Sequence, residues 1–209
     1  MGIEIPQNKF LILDGAMGTV LQQRGLSPQG RPELLNLTEP ELLDSVYKEY
    51  IAAGSQVIYA NTFGANGLKL AKTGHSVEGI VGAAIAVAKK AAAGTGTLVA
   101  LDVGPLGELL EPMGTLSFER AYDLFREMAE AGAKAGADLI VVETMTDLYE
   151  AKAALLAAKE AAHLPVFVTM SFDAGGRTFT GCTVASMART LEGLGADAIG
   201  LNCSLGPDL

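Results

Sequence analysis

Short apolar runs alternate along this chain with longer segments whose apolar positions recur every three to four residues. The short runs read as strands buried on both faces, and the longer segments as amphipathic helices packed against them. One register occurs three times: Gly54-Ser-Gln-Val-Ile-Tyr-Ala-Asn61, Gly136-Ala-Asp-Leu-Ile-Val-Val-Glu143 and Gly195-Ala-Asp-Ala-Ile-Gly-Leu-Asn202. Each begins with a glycine suited to the left-handed end of a helix. Each closes on a polar residue followed by Thr62, Thr144 or Cys203, where a strand leaves the core. Further strands are expected over 10–13, 98–101 and 166–170. The box Thr38-Glu-Pro-Glu41 predicts a capped helix start with proline inside the first turn. Ser117 caps a second helix that stops at Gly132 or Gly136. Asp147 with Glu150 opens a third, which stops before Pro165.

Strands alternating with helices, without hairpin signals, imply a parallel sheet with right-handed crossovers. Six strands suit a doubly wound sheet, but no G-x-G-x-x-G follows the first of them. The competing closure is an α/β barrel of the TIM type, (β/α)8, which normally takes about 250 residues. We expect the barrel, because polar residues collect at every strand exit, the middle ones included. The 209 residues then form one domain that supplies about six β/α units and stops two units short.

The exits are Asp14 with Gly15 and Thr19, Asn61 with Thr62, Asp102 with Gly104, Glu143 with Thr144, Ser171, and Asn202 with Cys203. On the carboxyl face of a parallel barrel such residues surround the active centre. Asp14, Asp102 and Glu143 suit an ammonium group, since a carboxylate in a low-dielectric mouth pairs strongly with a cation. A thiolate from Cys203 suits metal binding or nucleophilic chemistry. Together they point to an amino-acid-like ligand whose other end meets the cysteine. Plainer roles compete. Asp14 before Gly15 and Asp102 before Gly104-Pro105 make natural turns, and a lone cysteine is more often a small buried hydrophobe. Cys182 reads as structural, and His75 and His163 as surface residues.

Composition narrows the classes. Hydrophobic residues make up 49%, enough for a sizeable core, and the net charge of −9 comes without any cluster of Lys or Arg. That argues against nucleic acid or an anionic membrane as partner. Charged residues interrupt the apolar stretches well before the roughly eighteen residues of a membrane span. Two cysteines give no disulfide framework, which suits a cytoplasmic protein.

Taken in order from about residue 8, five motifs carry a resemblance: Leu13-Asp-Gly-Ala-Met-Gly-Thr19, Asn61-Thr-Phe-Gly-Ala65, Val103-Gly-Pro-Leu-Gly107, Glu143-Thr144 and Gly200-Leu-Asn-Cys-Ser204. The sequence resembles the homocysteine S-methyltransferase family, and within it the homocysteine-binding module of cobalamin-dependent methionine synthases. The resemblance implies a (β/α)8 barrel in which zinc, held by three cysteines, takes up the homocysteine sulfur, and methyl transfer to that sulfur forms methionine. Cys203 matches the first of those cysteines, as catalytic group and metal ligand. Asp14 and Glu143 match acidic positions around the substrate amino group, while Gly15, Asn61, Thr62 and Asn202 match other pocket positions. The resemblance leaves the methyl donor open, because corrinoid, S-methylmethionine, S-adenosylmethionine and betaine enzymes share this half of the barrel. Methylcobalamin supplied by another module is one candidate. Expected partners are corrinoid and folate modules, or the missing part of the barrel.

The sequence departs from the family in lacking the adjacent cysteine pair that supplies the other two ligands, together with the last two strands. From this the chain alone is expected to hold zinc weakly, to be inactive, and to expose open sheet edges that invite association. Two other readings stand beside this one. A non-catalytic amino-acid-binding or assembly fragment would keep the pocket without the chemistry. A barrel lyase or aldolase acting on a small acid would need a lysine or a phosphate loop at a strand exit.

Overall fold

The computed structural model describes residues 10–27 and 30–206. In chain order its elements are α1 (Met17–Gln23), α2 (Leu35–Thr38), α3 (Pro40–Ala53), β1 (Val57–Tyr59), α4 (Gly67–Leu70), α5 (Val77–Ala92) and β2 (Leu98–Val103). There follow α6 (Phe118–Ala135), β3 (Leu139–Met145), α7 (Leu148–Ala162), β4 (Val166–Met170), α8 (Val184–Gly193) and β5 (Ala198–Leu201). The repeated register marks the helix-to-strand junctions. Gly54, Gly136 and Gly195 have φ of 108°, 91° and 83°, a region that disfavours any side chain.

The third residue of each register has its own task. Gln56, Asp138 and Asp197 accept the backbone N–H of Ile12, Val99 and Val166 at 3.0, 2.7 and 2.8 Å. Asp138 and Asp197 also pair with Lys89 and Lys159. A polar side chain just before one strand thus satisfies an N–H of the segment beside it, which would otherwise be orphaned at the sheet's amino end. The repeat is a pairing device as well as a turn signal.

Among the described residues the five strands pair in parallel and in sequence order, β1-β2-β3-β4-β5. Val57 lies beside Leu98, Ala100 beside Leu139, Ile140 beside Val166 and Phe167 beside Ala198. This sequential order is the arrangement of a barrel wall, without the reversal of a doubly wound sheet. The fold is α/β, part of a TIM-type barrel. The strand expected over 10–13 is a correction: it forms only a single parallel bridge, Leu13 to Val57. Hydrogen bonds join Ile12 O to Gln56 N and Asp14 N to Val57 O, but Phe10 is 91% exposed. With a neighbour on one side only, this segment is held at its exit end, where Asp14 sits.

Alternation along the strands separates two apolar layers. Ile58, Val99, Leu101, Ile140, Val142 and Val168 face the helices in the larger core. Val57, Ala100, Leu139, Val141 and Phe167 form a second cluster on the inner face. Both faces are apolar, so the strands read as unbroken hydrophobic runs. Gly132 shows how closely helix and sheet meet: a Cβ there would lie 2.6 Å from Leu101. On β5, Ile199 and Leu201 are exposed, and among the described residues the strand has no partner on its far side.

Two helix starts differ from expectation. Thr38 does not cap α3; it ends α2 and its hydroxyl donates to Leu34 O, leaving Glu39 at the cap and Pro40 in the first turn. Asp147 caps α7 by accepting from Tyr149 N, but Glu150 turns inward and accepts from Leu106 N at 2.7 Å. The β2–α6 loop supplied a buried donor that outcompeted the local box. Ser117 caps α6, which runs to Gly136. Among the described residues no helix is long and apolar enough to cross a membrane.

Candidate active site

The period of two that builds the inner apolar layer also builds the site above it. Continuing each strand toward its carboxyl end on the inner face reaches Tyr59, Asp102, Glu143, Thr169 and Asn202, one step past Val57, Ala100, Val141, Phe167 and the Ala198–Gly200 pair. These five residues, with Asp14 and Cys203, line a cavity of about 580 Å³. The 13–19 segment, Pro32, Glu33, Asn61 and Phe63 complete its wall. Among the described residues four acidic side chains line it, and no Lys, Arg or His does so.

Asp14, Asp102 and Glu143 form its polar floor. Asp14 accepts the Tyr59 N–H through Oδ2 at 2.8 Å, while its Oδ1 is buried without a partner among the described residues. Burial, reinforced by Glu143, pushes its pKa up to about 7 against the pull of that N–H. Asp102 is 7% exposed, and its Oδ1 also lacks a partner. Burial first, then Glu143 and Asp14, hold its carboxyl well above the usual range. Burial raises Glu143 as well. Desolvated carboxyls around one cavity oppose one another's ionisation, and a cation between them would relieve it.

Asn202 organises the other side. Its Oδ1 accepts from Thr144 N and from the Thr169 hydroxyl, both at 3.0 Å. Its Nδ2 donates to Glu143 Oε2 at 3.1 Å and to Thr144 Oγ1 at 2.8 Å, and lies 3.7 Å from Cys203 Sγ. One amide thus spans the carboxyl of Glu143 and the thiol of Cys203. Thr144 and Cys203 both have left-handed backbones, φ 59° and 46°, and the β3–β4 register shifts between Val142 and Met145. Non-glycine residues persist in that region only where the surroundings hold them. Here the hold is the Asn202 amide and the Thr144 Oγ1 to Cys203 Sγ contact at 3.6 Å.

The remaining expected residues have different placements. Asn61 lines the cavity, but its Nδ2 is committed to Pro32 O at 2.6 Å, which ties the 32–36 turn to the end of β1. Thr62 is fully buried and stands outside the cavity lining. Its hydroxyl donates to Asp102 O at 2.7 Å and accepts from Asp102 N at 3.0 Å, so it fixes the end of β2. Gly15 lines the cavity but makes no left-handed turn. A Cβ there would meet the Tyr50 hydroxyl at 2.9 Å, and that hydroxyl donates to Ala16 O. Ser171 stands outside the cavity and donates to Asn202 O. Cys182 is half-buried, and His75 and His163 are exposed. Sequence reasoning missed Tyr59, Glu33 and Thr169. Alternation from Val57 and Phe167 points to the first and last; Glu33 sits in a turn with no periodic signal.

The donors present do not by themselves make a zinc tetrahedron. Among the described residues no group of three or more His, Cys, Asp or Glu is placed to hold a metal. At the cavity Cys203 is the one thiol, whereas a catalytic zinc usually has three protein ligands.

Comparison with known proteins agrees with this geometry. Residues 11–209 match the family model described as homocysteine S-methyltransferase. The methionine synthase of Mycobacterium tuberculosis is 32% identical over 225 residues, covering 98% of this chain and 19% of that protein. The Mycobacterium leprae methionine synthase is also 32% identical, over 98% of the chain and 18% of the relative. The chain therefore spans about a fifth of the length of these relatives. Among solved structures, the metallated form of the homocysteine methyltransferase MmuM from Escherichia coli superposes with a TM-score of 0.81 at 26% identity, over 94% of this chain and 75% of that one. Its oxidized form gives 0.82, also at 26% identity, over 94% and 74%.

Proposed function

Because the chain belongs to the homocysteine S-methyltransferase family, we propose that its cavity binds homocysteine and presents the thiol for methylation to methionine. The observation that carries this reading is the Asn202 amide, which joins an acidic floor to a cysteine within one cavity. Homocysteine carries an ammonium at one end and a thiol two methylenes away, and the site offers a counterpart to each. Asp14 and Glu143 take the ammonium through charge-assisted hydrogen bonds. The thiol points toward Cys203. Asn61, Thr62, Gly15 and Asn202 act by shaping the walls and holding these groups in place. Residues 1–209 are, on this reading, a single homocysteine-binding barrel unit of a cytoplasmic enzyme.

Zinc, where a full ligand set exists, lowers the pKa of a bound thiol so that it attacks as thiolate. Cys203 would be its ligand from this chain. The methyl donor, with methylcobalamin presented by a corrinoid module as the candidate, and a folate module as further partner, belong to the same proposal. A lyase or aldolase working through a lysine Schiff base finds no lysine in the cavity wall among the described residues.

Calorimetry with homocysteine and with 4-mercaptobutyrate, its analogue without the amino group, tests the reading. Homocysteine is expected to bind and the analogue to lose at least tenfold in affinity. Glu143→Gln should weaken homocysteine about ten- to hundredfold, part of the way to the analogue's level, since a hydrogen bond to a charged group is worth about 1.5–3 kcal/mol. Equal affinity for the two ligands would remove the ammonium from the account.

A further inference from the structure

The acidic floor contains one group more than the ammonium contacts assigned to Asp14 and Glu143. We propose that Asp102 is a third substrate-binding carboxyl, and that Asp14, Asp102 and Glu143 together recognise a primary ammonium by taking one of its hydrogens each. The inference rests on the reading of the cavity as a homocysteine site and adds to it a residue and a specificity.

Geometry carries it. Asp102 is only 7% exposed, lines the cavity, and has an Oδ1 with no hydrogen-bond partner among the described residues. Its backbone is clamped on both sides of the residue by the Thr62 hydroxyl, which accepts from its N–H and donates to its carbonyl. The end of β2 that carries the carboxyl is therefore held in place. Asp14 Oδ1 is likewise unpartnered. Glu143 gives Oε2 to Asn202 and keeps its other oxygen. The floor thus offers one uncommitted carboxyl oxygen from each of three residues.

Among the described residues no cation answers them, because the cavity lining there holds no Lys, Arg or His. A buried polar atom without a partner is costly unless a ligand supplies the missing half. An ammonium carries three N–H donors and no acceptor, which matches one carboxyl from each of three chain segments around a single cavity. Each added N-methyl group would remove a donor and press a carbon against a desolvated carboxyl. The site should therefore prefer a primary amine to its N-methylated form.

Calorimetry on the intact chain tests this with three ligands: homocysteine, N-methylhomocysteine and 4-mercaptobutyrate. Asp102→Asn is expected to weaken homocysteine at least tenfold and to leave 4-mercaptobutyrate unchanged. The unsubstituted protein should bind N-methylhomocysteine at least tenfold more weakly than homocysteine, a result that does not depend on how the variant folds. If Asp102→Asn binds homocysteine as well as the parent while Glu143→Gln does not, Asp102 is no ligand and the proposal is overturned. A loss of equal size for homocysteine and 4-mercaptobutyrate in Asp102→Asn also overturns it, because the residue would then act on the cavity as a whole. Failure of the underlying reading looks different: the parent protein would not distinguish homocysteine from 4-mercaptobutyrate at all.

Discussion

Replacing Asp14 by asparagine is expected to stabilise the fold at pH 8 while removing most of its affinity for homocysteine. The Asp14 carboxyl is pushed up to about 7 from an ordinary 3.8, chiefly by burial. Between those values the folded protein keeps a proton that the unfolded chain has released, so stability falls as pH rises from 4 toward 7. Above pH 7 both states are ionised and the penalty is complete. Each tenfold difference in proton affinity between the folded and unfolded states is worth about 1.4 kcal/mol, so the parent-to-variant difference should widen by roughly 2–3 kcal/mol between pH 5 and pH 8. Asparagine can still accept the Tyr59 N–H that Asp14 holds at 2.8 Å, and it never carries the buried charge. The same substitution removes a charge-assisted contact to the ammonium, a loss of about ten- to hundredfold in affinity. Denaturant titrations at the two pH values, with calorimetry at pH 8, read both effects. An Asp14→Asn protein that is less stable at pH 8 than its parent would show that the carboxylate is paired in a way the geometry does not contain.

The second large effect is expected at Asn202. Its side chain closes four hydrogen bonds, to Thr144 N, Thr169 Oγ1, Thr144 Oγ1 and Glu143 Oε2. Asn202→Ala leaves a half-buried N–H and a carboxylate without their partners and frees Thr144 from its left-handed backbone. Individual bonds contribute about 0.5–1.5 kcal/mol, and more where a charge is involved, so a loss of roughly 2–4 kcal/mol is expected. Homocysteine binding should fall with it, since Glu143 loses the group that aims it. Asn202→Asp keeps the shape but places a second carboxylate beside Glu143, and should be destabilising at neutral pH and milder at pH 5. Urea denaturation separates the two variants. A loss below about 0.5 kcal/mol for Asn202→Ala would mean that Thr144 and Glu143 are held by something else.

Much of this architecture is legible in the amino-acid order alone. The Gly-to-polar register places three strands and their exits, because a left-handed glycine and a buried apolar run are both local demands. The strand exits also bring Asp14, Glu143, Asn202 and Cys203 around one opening. What the register does not reveal depends on partners far away in the chain. Thr62 passes for a cavity residue until Asp102, forty positions on, is seen to occupy both sides of its hydroxyl. Gly15 passes for a turn until the Tyr50 ring is found against it. Glu150 passes for half of a capping box until Leu106 presents an unsatisfied N–H. The first strand is overread for a similar reason: an apolar run of four residues becomes a full strand only with neighbours to pair with, and 10–13 has one, touching at Leu13. Tyr59 is within reach, since counting by twos from Val57 lands on it.

The central claim is an orientation: amine on the acidic floor, sulfur toward Cys203. Selenohomocysteine gives the most direct test, because selenium scatters anomalously and can be located without interpreting the shape of the ligand. Crystals of the protein grown with L-selenohomocysteine should show one anomalous peak in the cavity, in van der Waals contact with Cys203 Sγ and beside the Thr144 hydroxyl. A peak on the floor among Asp14, Asp102 and Glu143, or outside the cavity altogether, would contradict the account.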